Sequence, residues 1–121
     1  MPRRETYLRW LRRRVSQTNS RCRGLAIKGT LDWQELSERP MVCSWCGEPI
    51  VEPRRLSLDH VLPLAKGGTN VNNNVVLSHR ACNLLRGDMD ASLWIKLVNT
   101  LMEIGLWKEF RMRYKPRRFR R

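Results

Sequence analysis

Residues 56–88 read LSLDHVLPLAKGGTNVNNNVVLSHRACNLLRGD, and this stretch decides the fold. Leu56 to Val61 reads as a strand, and Val61-Leu62 stays extended because the residue before Pro63 is driven out of the helical region. Lys66-Gly67-Gly68-Thr69-Asn70 is loop chemistry, prolonged by Asn72, Asn73 and Asn74. Val75-Val76-Leu77 makes a second short strand. Ser78 is placed to cap a helix that starts at His79 and closes near Gly87. The order is strand, loop, strand, helix.

Working outward, residues 43–55 are turn-rich, from Cys43-Ser44-Trp45-Cys46 through Gly47 and Pro49. Further upstream, Tyr7, Leu8, Leu11 and Val15 are spaced for one face of a helix over Glu5 to about Ser16. Asp32 with Glu35 three residues on is a capping-box pattern for a short helix near 33–38, which Pro40 ends. Downstream, Leu93, Ile95, Leu97, Val98, Leu101, Met102 and Ile104 predict an amphipathic helix over 91–104, stopped by Gly105. Leu106 to Tyr114 adds another turn or two, and Pro116 ends any helix.

The composition bounds what these elements can build. A chain of 121 residues defaults to one domain, and 41% apolar with 29% charged residues is a soluble globular composition. No run approaches the roughly 18 consecutive apolar residues of a membrane span. The basic start, MPRRETYLRWLRRR, lacks the apolar core of a secretory signal. A reducing cytoplasm is therefore the expected location, where cysteines bind metal more often than they pair. The net charge of +13 is concentrated at the ends. Residues 1–28 carry nine basic side chains and one acidic, and residues 111–121 carry seven basic and none acidic. Basic ends around a near-neutral centre suit a polyanion, most simply nucleic acid.

There are four cysteines and two histidines. Cys43 and Cys46 form a C-x-x-C knuckle, and His79 and Cys82 form an H-x-x-C pair 33 residues later. Two such pairs supply the four ligands of a closed tetrahedral site, and three thiolates with one imidazole favour Zn²⁺. On a helix, positions 79 and 82 are neighbours able to share one ion. Cys22 lies outside both pairs and reads as a buried or free thiol.

The elements Asp59-His60, Pro63, Gly67-Gly68, Asn70, Asn74, Cys82-Asn83 and Gly87 together resemble the HNH nuclease family, over about residues 41–88. The upstream C-x-x-C matches its zinc-bearing branch, and small phage-encoded nucleases look similar overall. The resemblance implies an α+β fold: a small ββα-metal core with a zinc knuckle, flanked by N- and C-terminal helices. It divides the chain into a basic helical extension (1–40), the zinc-stapled core (41–88) and a C-terminal helix with a basic tail (89–121), folded together as one domain. It implies that His60 is the general base, that Asp59 and Asn83 bind one catalytic cation, and that Asn74 holds the loop and orients His60. The motif here is H-N-N rather than H-N-H, with His79 where the zinc branch usually has Cys. His79 therefore has two readings, a fourth zinc ligand or the final histidine of the catalytic motif, and Asn73 competes with Asn74 as the functional asparagine.

The implied activity is metal-dependent hydrolysis of DNA phosphodiester bonds, by a phage-encoded endonuclease. A base near neutral pKa and a cation for developing charge are what that reaction needs. Oxygen ligands and a single carboxylate suit Mg²⁺ or Mn²⁺. Arg86, Lys66 and Arg80 are candidates for phosphate contacts near the site, with Arg117 and Arg118 in the basic tail. Trp94 and Trp107 read as core rather than as base-stacking platforms. The apolar C-terminal helix is a candidate surface for a dimer mate or a protein partner. Two other functions compete: a non-catalytic zinc-stapled module that binds nucleic acid, and a nuclease of the same fold acting on RNA.

Overall fold

The structure is a computed structural model that describes residues 2–113. Arg117 and Arg118 lie outside the described residues. Helix α1 spans Arg4–Gly24, a short α2 spans Trp33–Ser37, strands β1 (Leu56–His60) and β2 (Val75–His79) follow, and helices α3 (Arg80–Arg86), α4 (Ala91–Glu103) and α5 (Trp107–Arg113) complete the order.

Helix α1 runs well past the Ser16 expected from its apolar spacing. Its first half buries Tyr7, Leu11 and Val15. From Ser16 to Arg21 the residues are polar on every face, and the apolar period fades except for the fully buried Cys22. The reason is positional: Gln17, Thr18 and Arg21 border a cleft rather than the core. The expected cap of α2 is present, with Asp32 accepting from the Gln34 amide at 3.0 Å. Glu35 does not close a capping box; it pairs with Arg39 and accepts from Asn72.

The two strands form an antiparallel pair in which Leu56 faces His79, Leu58 faces Leu77 and His60 faces Val75. Strand β2 extends through Ser78 and His79, so the expected Ser78 cap is corrected. Ser78 is buried in the strand, and His79 takes the cap position of α3 without a capping side chain. Helix α4 is capped by Asp90, whose carboxylate accepts from the amides of Ser92 and Leu93. A cap of this kind contributes about 1 kcal/mol.

One buried cluster runs from Leu11 and Leu36 through Ile50, Leu56 and Leu77 to Trp94, Val98 and Trp107. Trp94 and Trp107 meet edge-to-face with ring centroids 6.0 Å apart, which fixes α4 against α5 in the core, as their apolar context predicts. No helix among the described residues is long and apolar enough to cross a membrane.

Candidate active site and metal centre

Successive side chains of a strand point to opposite faces. His60 therefore leaves β1 toward Asn70, while Asp59 leaves it toward Trp45 and Arg86. Both border a cleft of about 510 Å³ closed by α1 on one side and α3 on the other. Asn83 and Arg80 of α3 line the same cleft, as do Gln17, Thr18 and Arg21 of α1.

His60 is 6% exposed, and its ring Nε2 lies 3.0 Å from Asn70 Oδ1. Burial pushes the imidazole below its ordinary value, and the Arg21 charge adds to that. The Asn70 hydrogen bond and the Asp59 carboxylate pull it back up. A neutral imidazole is the form a general base needs.

Asn74 holds the loop after β1. Its Oδ1 accepts from the Leu62 amide at 2.9 Å, and its Nδ2 donates to the carbonyls of Leu62 and Thr69 at 3.0 Å each. Gly68 belongs to this closure, since a Cβ there would sit 1.9 Å from the Leu62 carbonyl oxygen. The expectation that Asn74 also orients His60 is corrected: the side chain on the imidazole is Asn70. Asn73 is exposed, and no side-chain contact of His60 involves it.

Arg86 departs furthest from its expected place at the substrate's phosphates. It is 2% exposed. Its guanidinium donates to the carbonyls of Met89, His60 and Val61, pairs with Asp59 Oδ1 at 3.1 Å, and lies over the Trp45 ring at 4.9 Å. A helix that must be locked to the end of β1 uses the one side chain with five donors in a fixed fork. Lys66 and Arg80 are exposed, and Arg80 is the one that borders the cleft.

Asp59 accepts from Trp45 Nε1 at 2.7 Å through Oδ2 and meets Arg86 through Oδ1. Burial raises its carboxyl above the ordinary value, more than Arg86, Trp45 and His60 lower it. Asn83 Nδ2 donates to Ser57 Oγ at 2.7 Å and to the Leu58 carbonyl, which leaves its Oδ1 lone pairs for another partner. Each Asp59 oxygen also keeps a lone pair beyond the bond it makes. The two residues thus fit a hard cation in donor type.

Cys43, Cys46, His79 and Cys82 form a separate cluster whose ligand atoms all lie within 4.8 Å of one another, all four residues being buried. Tetrahedral Zn–S bonds of about 2.3 Å put two sulfurs roughly 3.8 Å apart, so the cluster fits zinc in both donor type and dimensions. His79 settles to this side: its Nδ1 lies 3.4 Å from Cys46 Sγ and 3.9 Å from Cys82 Sγ. Its Nε2 lies 3.1 Å from the Pro49 carbonyl oxygen, which can only accept, so Nε2 carries a hydrogen and Nδ1 is the nitrogen that faces the thiols. Hydrogen bonds from Cys46 and Cys82 hold the Cys43 thiol well below its ordinary value, while the same network pushes Cys82 up. His79 is raised to about 9, first by its hydrogen bond with Cys43. The knuckle is tied to the strands by the Ser44 amide, which donates to the Leu77 carbonyl at 2.9 Å. Cys22 is free and buried, away from the cluster.

The residues that sequence reasoning missed are Asn70's partner role, Asn19, and the α1 wall. The signal for the wall was present: Arg14, Gln17, Thr18 and Arg21 are spaced i, i+3, i+4, i+7 and share one helix face.

A two-stranded antiparallel sheet followed by a helix, with a Cys₃His cluster that fits a zinc site and a histidine beside an aspartate at its cleft, is consistent with a ββα core of the HNH type. Residues 43–88 match the family model for HNH endonucleases. No curated protein matches the chain.

Proposed function

We propose that the protein is a metal-dependent endonuclease that hydrolyses phosphodiester bonds in double-stranded DNA. The observation that carries this reading is the convergence of Asp59, His60 and Asn83 on one cleft walled by the basic face of α1. His60 takes a proton from the attacking water as its oxygen bonds to phosphorus, and the bond from phosphorus to the leaving sugar oxygen breaks, that oxygen taking a proton from solvent water. Asp59 and Asn83 would hold one divalent cation, Mg²⁺ or Mn²⁺, which when bound would supply positive charge for the phosphate oxygens. Cys43, Cys46, His79 and Cys82 would hold zinc, which would serve the fold rather than the reaction, because four protein ligands would leave no open position.

Arg21 and Arg80 contact the phosphates beside the scissile bond from opposite walls of the cleft. Both are exposed, and neither makes a salt bridge among the described residues. Arg86 is replaced in this role. Lys66 and the tail residues Arg117 and Arg118 add outer backbone contacts, which give affinity without reading sequence.

The test is cleavage of matched duplex DNA, single-stranded DNA and RNA by the zinc-loaded protein in Mn²⁺ or Mg²⁺. Cleavage of duplex DNA is the expected result. Cleavage of RNA alone moves the reading to an RNA-directed nuclease, and binding without cleavage of any substrate moves it to a nucleic-acid-binding module.

A further inference from the structure

The imidazole of His60 is reached from outside the HNH span by a chain of two amides, and one backbone group fixes the direction of every bond in it. The Leu31 N–H can only donate, and it does so at 2.8 Å to Asn19 in α1, so the Asn19 atom it meets is the oxygen Oδ1. Asn19 Nδ2 then donates to the Leu31 carbonyl at 3.2 Å. The same Oδ1 lies 2.9 Å from Asn70, so the Asn70 atom facing it is the donor Nδ2. The other end of the Asn70 amide is therefore Oδ1, which can only accept, and the His60 nitrogen 3.0 Å away must carry a hydrogen. In a neutral imidazole with Nε2–H, the basic lone pair is on Nδ1.

We propose that Asn19 is a positioning residue for His60: through Asn70 it holds the imidazole in the Nε2–H tautomer and leaves Nδ1 as the nitrogen that accepts the water's proton. The inference rests on the reading of His60 as a general base. The surroundings of Asn70 leave the relay little freedom. Asn70 is fully buried, and its backbone amide donates to the Lys28 carbonyl at 2.8 Å. Gly29, at φ +105°, is packed so closely that a Cβ would sit 2.5 Å from the Asn70 carbonyl oxygen. The segment after α1 thus clamps the backbone of Asn70 while α1 itself sets the sense of its amide. Truncating Asn19 removes the bond that sets the sense of the Asn70 amide, and a half turn of that amide would present Nδ2 to His60 and require Nε2 to be bare. The base would then direct its lone pair into the protein, a tautomer error of the kind that costs triad enzymes orders of magnitude in rate.

The experiment is nitrogen NMR of the imidazoles in the zinc-loaded protein, joined to steady-state kinetics. The chain has only two histidines, so the spectrum is assigned by the signals lost in His60→Ala. The wild type is expected to show His60 protonated on Nε2 and bare on Nδ1. Asn19→Ala is expected to mix or reverse that tautomer and to lower kcat about tenfold or more with KM unchanged. Asn19→Asp keeps an acceptor for both Leu31 N–H and Asn70 Nδ2, so it is expected to restore the tautomer and most of kcat. Should Asn19→Ala fail to fold, Asn19→Ser carries the same comparison. A wild-type His60 protonated on Nδ1 overturns the proposal. So does a variant without the relay that loses stability while its tautomer and kcat stay those of the wild type. The predicted tautomer in a protein that cleaves nothing would instead overturn the nuclease reading and leave the relay standing.

Discussion

Arg86 Nη1 lies 3.1 Å from Asp59 Oδ1, with both side chains buried. Asp59 is the only carboxylate among the described residues that line the cleft, and its pairing with Arg86 joins α3 to the end of β1. Breaking a buried pair strands one charge away from water, at a cost of about 3–5 kcal/mol. Arg86→Met is therefore expected to lose stability on that scale in denaturant unfolding, while the folded fraction keeps its affinity for DNA. A phosphate-contacting arginine would behave in the opposite way.

The zinc cluster makes a second prediction. Zinc requires a neutral His79 and thiolate sulfurs, whereas the metal-free cluster raises His79 to about 9. Metal binding near pH 7 must therefore release protons. Calorimetry of zinc binding in buffers of different ionisation enthalpy is expected to show that release, with affinity falling as pH falls. Cys82→Ser should lose the metal and the cooperative unfolding transition together, because the cluster ties the knuckle to β2 and α3.

For His60 the direction of the shift sets the pH dependence. Its folded value lies below the ordinary imidazole value of about 6.5, first because of burial. A base must be unprotonated, so the acid limb of the cleavage rate should lie below that value. Stability follows the same group: it is full above the unfolded value and declines as pH falls toward the folded one, because the unfolded chain takes up the proton first. Unfolding of wild type and His60→Gln as a function of pH measures this, and the slope in that window is expected to shrink in the variant.

The cleft-facing side of α1 predicts a salt effect. Binding to duplex DNA should weaken steeply between about 50 and 200 mM salt. Arg21→Ala should reduce the slope of log affinity against log salt by roughly 1, with no change in sequence preference. An unchanged slope would remove Arg21 from the substrate's backbone.

The hairpin, the α3 helix and the four-residue metal cluster were legible in the sequence because their signals are local. They consist of a strand period, a glycine pair and two ligand pairs at fixed spacing. What escaped was set by tertiary contact. Arg86 looked like a free cation one turn past Asn83, and only burial against Asp59 and Trp45 shows it to be a strut. The second half of α1 was invisible to apolar periodicity because it borders a polar cleft, where Thr18, Asn19 and Arg21 have no reason to be apolar. Asn70 and Asn74 are both loop asparagines, and nothing in the spacing alone tells which one holds backbone and which one holds the imidazole.

The central claim is that His60 is the base of a metal-dependent phosphodiester hydrolysis. It is tested most directly by nicking of supercoiled plasmid with zinc-loaded wild type and His60→Ala. Mg²⁺ or Mn²⁺ is added to or omitted from metal-depleted buffer, since a strong chelator would also take the zinc. The account predicts nicking by the wild type only with the added cation, and its loss in a His60→Ala protein that keeps its zinc and its DNA affinity. Nicking by that variant at the wild-type rate would contradict it.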